Sequence, residues 1–307
     1  MISRKRLLSR SLHALAFIAP VLLAWCLDIY VAEPLRDARG CNVILQDRPV
    51  SSASQLAAEL DARGYLWPPE AAVPRLGLAS LPADIASLGV AERKSLFFRI
   101  LLPLAMAENE RLARLRTRLE QALAGGALWR GTHAWRFVQR LAGSFGVKGD
   151  LNDPAVRARL LERVDTLPLG LVLAQGANES AWGTSRFALQ GNALFGQWTW
   201  NADTGMTPLR RAAGARHQVR AYPDLQASVR AYLHNLNTGH AYDGLRRLRA
   251  QARATGVTPD AQALARTLQR YSERGEAYVA EIVRMIRDNG LDRLGTPEFE
   301  PLPGLVP

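Results

Sequence analysis

Leu173-Ala-Gln-Gly-Ala-Asn-Glu-Ser-Ala-Trp-Gly-Thr-Ser-Arg-Phe-Ala188 starts as an apolar run and ends as a turn, with one glutamic acid at the change. Leu171, Val172 and Ala174 extend the apolar character upstream. The pattern predicts a helix capped by Thr166, entered through Pro168 and running to about Glu179, with the turn beginning at Gly183. Gln175 stands one turn before Glu179 and shares its face. Among apolar neighbours and near Trp182, a carboxyl loses solvation. The helix C-terminus adds its own negative end, so both effects raise the pKa and hold a proton near neutrality. Such a group is a proton donor. On helical spacing alone, a surface glutamate at a helix end explains the same pattern.

Outward from this segment the chain reads as helices with short connections from about 130 to 292. One helix is expected over Leu225–Asn237, with Asp224 as its cap, and one from Thr258 through Pro259 and Asp260. A last helix is expected over Glu276–Asn289, with Ile282, Val283 and Ile286 inward and Gly290 as its stop. Thr199–Ala221, rich in Gly, Thr and Arg, reads as a loop or short hairpin, with Asp203 as a turn former. Toward the N-terminus, apolar residues from Leu96 to Leu123 recur at three- and four-residue steps, one face of a helix that Gly125-Gly126 ends. Pro103 predicts a kink or break inside it. Arg111, Arg114, Arg116 and Arg118 read as a solvated polar face. Residues 33 to 90 hold scattered prolines and read as extended, with one helix near Ser54–Arg63.

The 307 residues are 48% hydrophobic and 22% charged, enough for a sizeable core and against wholesale disorder. A formal charge of +11 suits a polyanionic partner: nucleic acid, anionic lipid or a carboxylate-rich wall polymer. Cys26 and Cys41 form no framework and no Cys/His cluster, and His234 and His240 lack metal-ligand spacing, so neither a metal nor a cofactor is expected. Arg4, Lys5 and Arg6 precede an uncharged stretch from Ser11 to Leu27, the layout of a secretory signal or membrane anchor. Export to the periplasm, or to the periplasmic face of the inner membrane, is therefore expected. The division expected is 1–32 signal or anchor, 33–128 loop-rich and helical extension, 129–292 main domain and 293–307 flexible tail.

Glu179, Ser180, Trp182, Gly183 and Ser185, followed by Asn192, Leu194, Phe195 and Gly196, resemble the glucosaminidase domain of glycoside hydrolase family 73. Gly196-Gln-Trp198 and Leu233-His-Asn-Leu-Asn-Thr-Gly-His-Ala-Tyr242 are similar to its Bax-type branch. The resemblance implies a mainly α, lysozyme-like helical domain with a short loop or hairpin lobe, preceded by the N-terminal hydrophobic segment and helical extension. It also implies a groove across the catalytic helix and cleavage of peptidoglycan glycan strands next to N-acetylglucosamine. Glu179 resembles the general acid. Tyr271 resembles the family's functional tyrosine, which either hydrogen-bonds the substrate's N-acetyl group or packs. Gln175, Ser180, Trp182, Asn192, Phe195, Gln197 and Trp198 become candidates for substrate binding, and Trp200 joins the aromatics that could stack on sugars.

One departure is visible. Where many members carry a second carboxylate, Thr207-Pro-Leu-Arg-Arg-Ala-Ala-Gly214 has none, which favours a route in which the substrate's own acetamido group assists. An amidase, a lytic transglycosylase and a non-catalytic wall-binding protein are the competing readings. A nucleic-acid binder is disfavoured because no recognised motif accompanies the basic residues.

Overall fold

The computed structural model describes residues 45–48, 50, 52–208 and 218–301. The apolar run at 11–27 and both cysteines lie outside them, as does most of the Thr207–Gly214 stretch. Among the described residues no helix is long and apolar enough to cross a membrane. The architecture is mainly α, as expected of a lysozyme-like domain, with one small antiparallel lobe.

In chain order the helices are α1 (Ala53–Ala62), α2 (Val90–Ala124), α3 (His133–Ser144), α4 (Pro154–Arg163) and α5 (Leu169–Glu179). They continue with α6 (Arg186–Gly191), α7 (Leu225–Thr238), α8 (Asp243–Ala254), α9 (Ala261–Ala265) and α10 (Glu276–Asp288). Two-residue strands β1 (Gln46–Asp47) and β2 (Leu76–Gly77) pair in parallel. The stretch expected as a loop or hairpin forms a three-stranded lobe: β3 (Trp198–Thr199), β4 (Gly205–Met206) and β5 (Gln218–Arg220), with β5 central. Trp198 pairs with Val219, and Met206 pairs with the same residue from the other side. The chain divides into two compact units, residues 118–160 among those described, and 42–117 together with 161–307.

α2 runs through Pro103 without a break. Proline gives no N–H to the carbonyl four residues back, here that of Arg99. That carbonyl is satisfied from outside the helix, because the buried hydroxyl of Tyr65 donates to it at 3.2 Å. The Arg99 guanidinium in turn donates to Tyr65 O and pairs with Asp61, so the α1 end is fastened to the weak point of α2. The arginine face of α2 is not simply solvated either. Arg111 is buried against the fully buried Glu108, which also takes Arg230, and Arg116 reaches Asp165 and the carbonyls of Leu161 and Val164. Arg114, paired with Glu110, and Arg118, lying over the Phe137 ring, are the exposed members of the four.

The central helix is α5. Eight of its eleven residues are buried, so it is apolar all round, which is the pattern of an interior helix. It packs against α9 and α10. Its glycines permit the close approach: a Cβ on Gly170 would strike Leu291 O, and one on Gly176 would lie 2.5 Å from a Leu101 methyl. Thr166 does not cap this helix; Pro168 occupies that position with no side-chain bond. The entry is set by buried charge instead. Asp165 accepts the Thr166 N–H at 2.8 Å and pairs with Arg116, Arg249 and Arg253. Arg249 donates onward to Thr166 O and Glu162 O, and Asn109 clamps both backbone groups of Leu167. These cations meet the negative C-terminal end of α4, and that attraction outweighs a local cap. The other boundaries hold closely. Asp224 caps α7, while Asp260 is the cap of α9 rather than part of its first turn.

Replacing Tyr65 with phenylalanine leaves the Arg99 carbonyl buried without a partner. Chemical denaturation should show a loss of about 1–3 kcal/mol, the cost of one orphaned buried acceptor. An unchanged midpoint would remove Tyr65 from the account of how α2 survives Pro103.

Candidate active site

Glu179 ends α5, half-buried at the point where the interior helix reaches solvent. Its carboxyl is pushed above the ordinary 4.5, first by burial. Hydrogen bonds from Tyr278 and Asn178 and the charge of Arg274 oppose that rise, and the charge of Glu281 adds to it. Burial wins, because the helix behind the carboxyl offers no solvent.

Beneath it lies a polar chain inside an apolar core. Gln175 is wholly buried, Tyr232 donates to its amide oxygen at 2.6 Å, and its amide nitrogen donates to Tyr278 Oη at 2.6 Å. The Tyr278 oxygen thus already accepts, which leaves its own proton for the Glu179 carboxylate. Tyr232 also stacks on Phe195, with ring centroids 3.9 Å apart. Tyr271 stacks on Tyr278 at 5.4 Å and donates to the Phe195 carbonyl at 3.1 Å. Burial raises the pKa of Tyr232, Tyr271 and Tyr278, so all three remain neutral phenols that supply oriented dipoles rather than charge.

The chain leaves α5 through three consecutive residues with left-handed backbone: Ala181 (φ 52), Trp182 (φ 59) and Gly183 (φ 79). Such a run costs roughly 1–2 kcal/mol for each non-glycine residue and persists only when its surroundings impose it. Ser180 Oγ donates to Gly176 O at 2.6 Å and accepts from Gly183 N at 2.9 Å. The indole of Trp182 is gripped edge-on by Phe98 at 5.1 Å, with Lys94 over its face. Gly183 must be glycine on a second ground, since a Cβ there would sit 3.0 Å from Leu81 and Phe97 side chains.

The structure thus sorts the candidate residues. Glu179, Tyr271, Phe195 and Gln175 converge. Gln175 and Ser180 are fully buried and Phe195 nearly so, which corrects the expectation that they touch a ligand: they hold the wall of the site from behind. Trp182 faces α2 through Phe97 and Phe98, an anchor for the turn. Asn192 (φ 52) ends α6 and donates to Tyr222 O. Gln197 bridges Ala231 O and the Tyr222 hydroxyl. Trp198 and Trp200, in the lobe, are 52% and 73% exposed and so are open to a ligand. Gly196 (φ 59) borders the acid; a Cβ there would stand 3.5 Å from Glu179 Oε2. Tyr278 was not singled out. Tyr278 lies seven residues after Tyr271, inside α10, and its contact with Glu179 depends on how α10 meets α5. Among the described residues no three His, Cys, Asp or Glu side chains cluster as metal ligands, and His240 is almost fully exposed.

Residues 156–291 match the family profile described as mannosyl-glycoprotein endo-beta-N-acetylglucosaminidase. The chain is 32% identical to protein bax of Escherichia coli (strain K12) over 201 residues, covering 64% of this chain and 70% of that protein. No solved structure matches it.

Since burial raises the Glu179 pKa, the folded state binds this proton more tightly than the unfolded chain. The stabilising effect of the carboxyl is therefore complete below about 4.5 and is lost as pH rises through the folded value. Glu179→Gln should raise the melting temperature of the protein at pH 7 and give no gain at pH 4. Equal shifts at both pH values would mean that the carboxyl is not desolvated in the folded state.

Proposed function

Because the chain belongs to the glucosaminidase family, in its Bax-type branch, we propose that it is a peptidoglycan hydrolase, an endo-beta-N-acetylglucosaminidase that cuts wall glycan strands next to N-acetylglucosamine. One observation carries the reading: a single carboxyl, half-buried and with its pKa raised by burial, at the end of an interior helix beside a glycine.

In this mechanism Glu179 gives its proton to the glycosidic oxygen as the bond from that oxygen to the anomeric carbon breaks. The carbonyl oxygen of the sugar's own 2-acetamido group attacks the anomeric carbon and takes up the developing positive charge as a cyclic oxazolinium. Water then attacks the same carbon, its proton passes to the Glu179 carboxylate, and the acetamido group is restored. Anomeric configuration is retained. Tyr271 spends its proton on the Phe195 carbonyl, so its oxygen has lone pairs left to accept the acetamido N–H and orient that group. Tyr278 steadies the carboxylate formed after the first transfer. Trp198 and Trp200 offer faces for pyranose stacking. The basic flank and apolar run from Arg4 to Leu27 support export to the periplasm, as a cleaved signal or a retained anchor.

Purified protein should release new reducing ends from isolated sacculi, with mass spectrometry placing N-acetylglucosamine at those ends, and Glu179→Gln should lower the rate at least about 100-fold. Anhydro sugars would make it a transglycosylase, freed peptides an amidase, and an inverted product seen by NMR would end the substrate-assisted route. Tyr278→Phe removes a bond that favours the ionised acid, so the alkaline limb of kcat/KM should move to higher pH. A limb moving downward would contradict the donor role given to Tyr278.

A further inference from the structure

The unit of residues 118–160 lies almost wholly before the stretch that matches the family profile, which begins at 156. It holds seven Arg and Lys against three Asp and Glu, a strong bias for 43 residues. At its tip Trp129 is 73% exposed. An indole left in water is unremarkable on a loose loop, but this loop is tightly built. Thr132 donates to Trp129 O through both N (3.2 Å) and Oγ1 (2.8 Å). Arg136 grips Gly131 O with Nε and Nη2 at 3.2 and 2.8 Å, and Gly131 takes φ +84 to allow the turn. On the other side Asn152 binds both backbone groups of the buried Leu128, at 2.7 and 3.2 Å. The turn is thereby fixed before any ligand arrives, which lowers the ordering cost of binding. Next to it His133, Arg136 and Arg140 fall at three- and four-residue steps on the exposed side of α3.

We propose that the Trp129–Arg130 turn and this basic side of α3 form a second binding site for the wall polymer, separate in sequence from the catalytic residues. Its ligand class is a chain of pyranose rings bearing carboxylates. The indole stacks on a sugar face and the guanidinium groups take the acids of the peptide stems. The proposal rests on the wall-glycan reading above. A bilayer fits less well, because the apolar side of α3 (Val138, Leu141, Ala142) is already buried in the protein, leaving a single indole to insert.

The test uses the full chain carrying Glu179→Gln, so that the polymer survives, and measures co-sedimentation with purified sacculi. Adding Trp129→Ala and Arg130→Ala should weaken retention about fivefold, the order expected for one aromatic contact and one exposed charge. Binding through the intact site should also weaken with salt. The same two substitutions in the otherwise unaltered protein should leave turnover of a short N-acetylglucosamine oligomer unchanged. Equal retention of both proteins would overturn the proposal. So would transfer of the loss to phosphatidylglycerol vesicles or to nucleic acid, or a matching drop in oligomer turnover. Retention is read without hydrolysis, so a wild type that binds through Trp129 but releases no sugar would defeat the glycosidase reading alone.

Discussion

A buried primary amide has two donors and an oxygen to satisfy, and at Gln175 they must be satisfied where no water reaches. Leaving one unmet costs a few kcal/mol, so the helices around it are not free to slide. Tyr232 comes from α7 and Tyr278 from α10, and both meet the amide of α5 at 2.6 Å. The network therefore fixes the register of three helices at once. It also decides the direction of the next bond: an amide nitrogen can only donate, so Tyr278 must accept from it and turn its proton toward Glu179. The same contact that aligns the core orients the group that tempers the acid.

The turn after the acid shows the opposite economy. Two L-residues in left-handed backbone are a standing cost, and the surroundings that hold them, the Ser180 bridge and the aromatic grip on Trp182, serve no other visible purpose than to end α5 abruptly. Ending the helix here leaves the Glu179 carboxyl half-buried, with its pKa raised by burial.

How much of this could be read in the chain follows from the range of each interaction. The interior character of α5, the acid at its end, the Asp224 cap and the inward Ile282 and Ile286 of α10 are local patterns, and each was legible, whereas Val283 is only half-buried and Val279 takes an inward place. The main failures involve partners far away in sequence. Pro103 reads as a break until Tyr65, 38 residues earlier by number, supplies the missing bond to Arg99. Thr166 reads as a cap until Arg249 and Arg253 hold the segment through Asp165. Arg116 reads as solvated until the buried Asp165, far along the chain, appears opposite it. Gln175, Ser180 and Phe195 read as ligand contacts because a motif reports that residues matter and not which way they face. Resemblance pointed to the candidate site; burial separated the half-buried Glu179 from the buried side chains that hold it.

That division bears on the chemistry itself. A second carboxylate able to stabilise the anomeric carbon would have to be unengaged, and two of the three candidate acids, Asp224 and Glu281, are engaged. Asp224 accepts the Ala227 N–H as the cap of α7. Glu281 pairs with Arg274 at 2.7 Å, and its charge adds to the rise of the Glu179 pKa. Asp203 sits exposed in the lobe, its backbone tied to Asn201. On the proposed reading, with Glu179 giving the proton and Asp224 and Glu281 occupied, the nucleophile belongs on the substrate, in the acetamido group that N-acetylglucosamine carries next to the breaking bond. The neutral phenols around Glu179 fit that division of labour, because they orient an amide without competing for its positive charge.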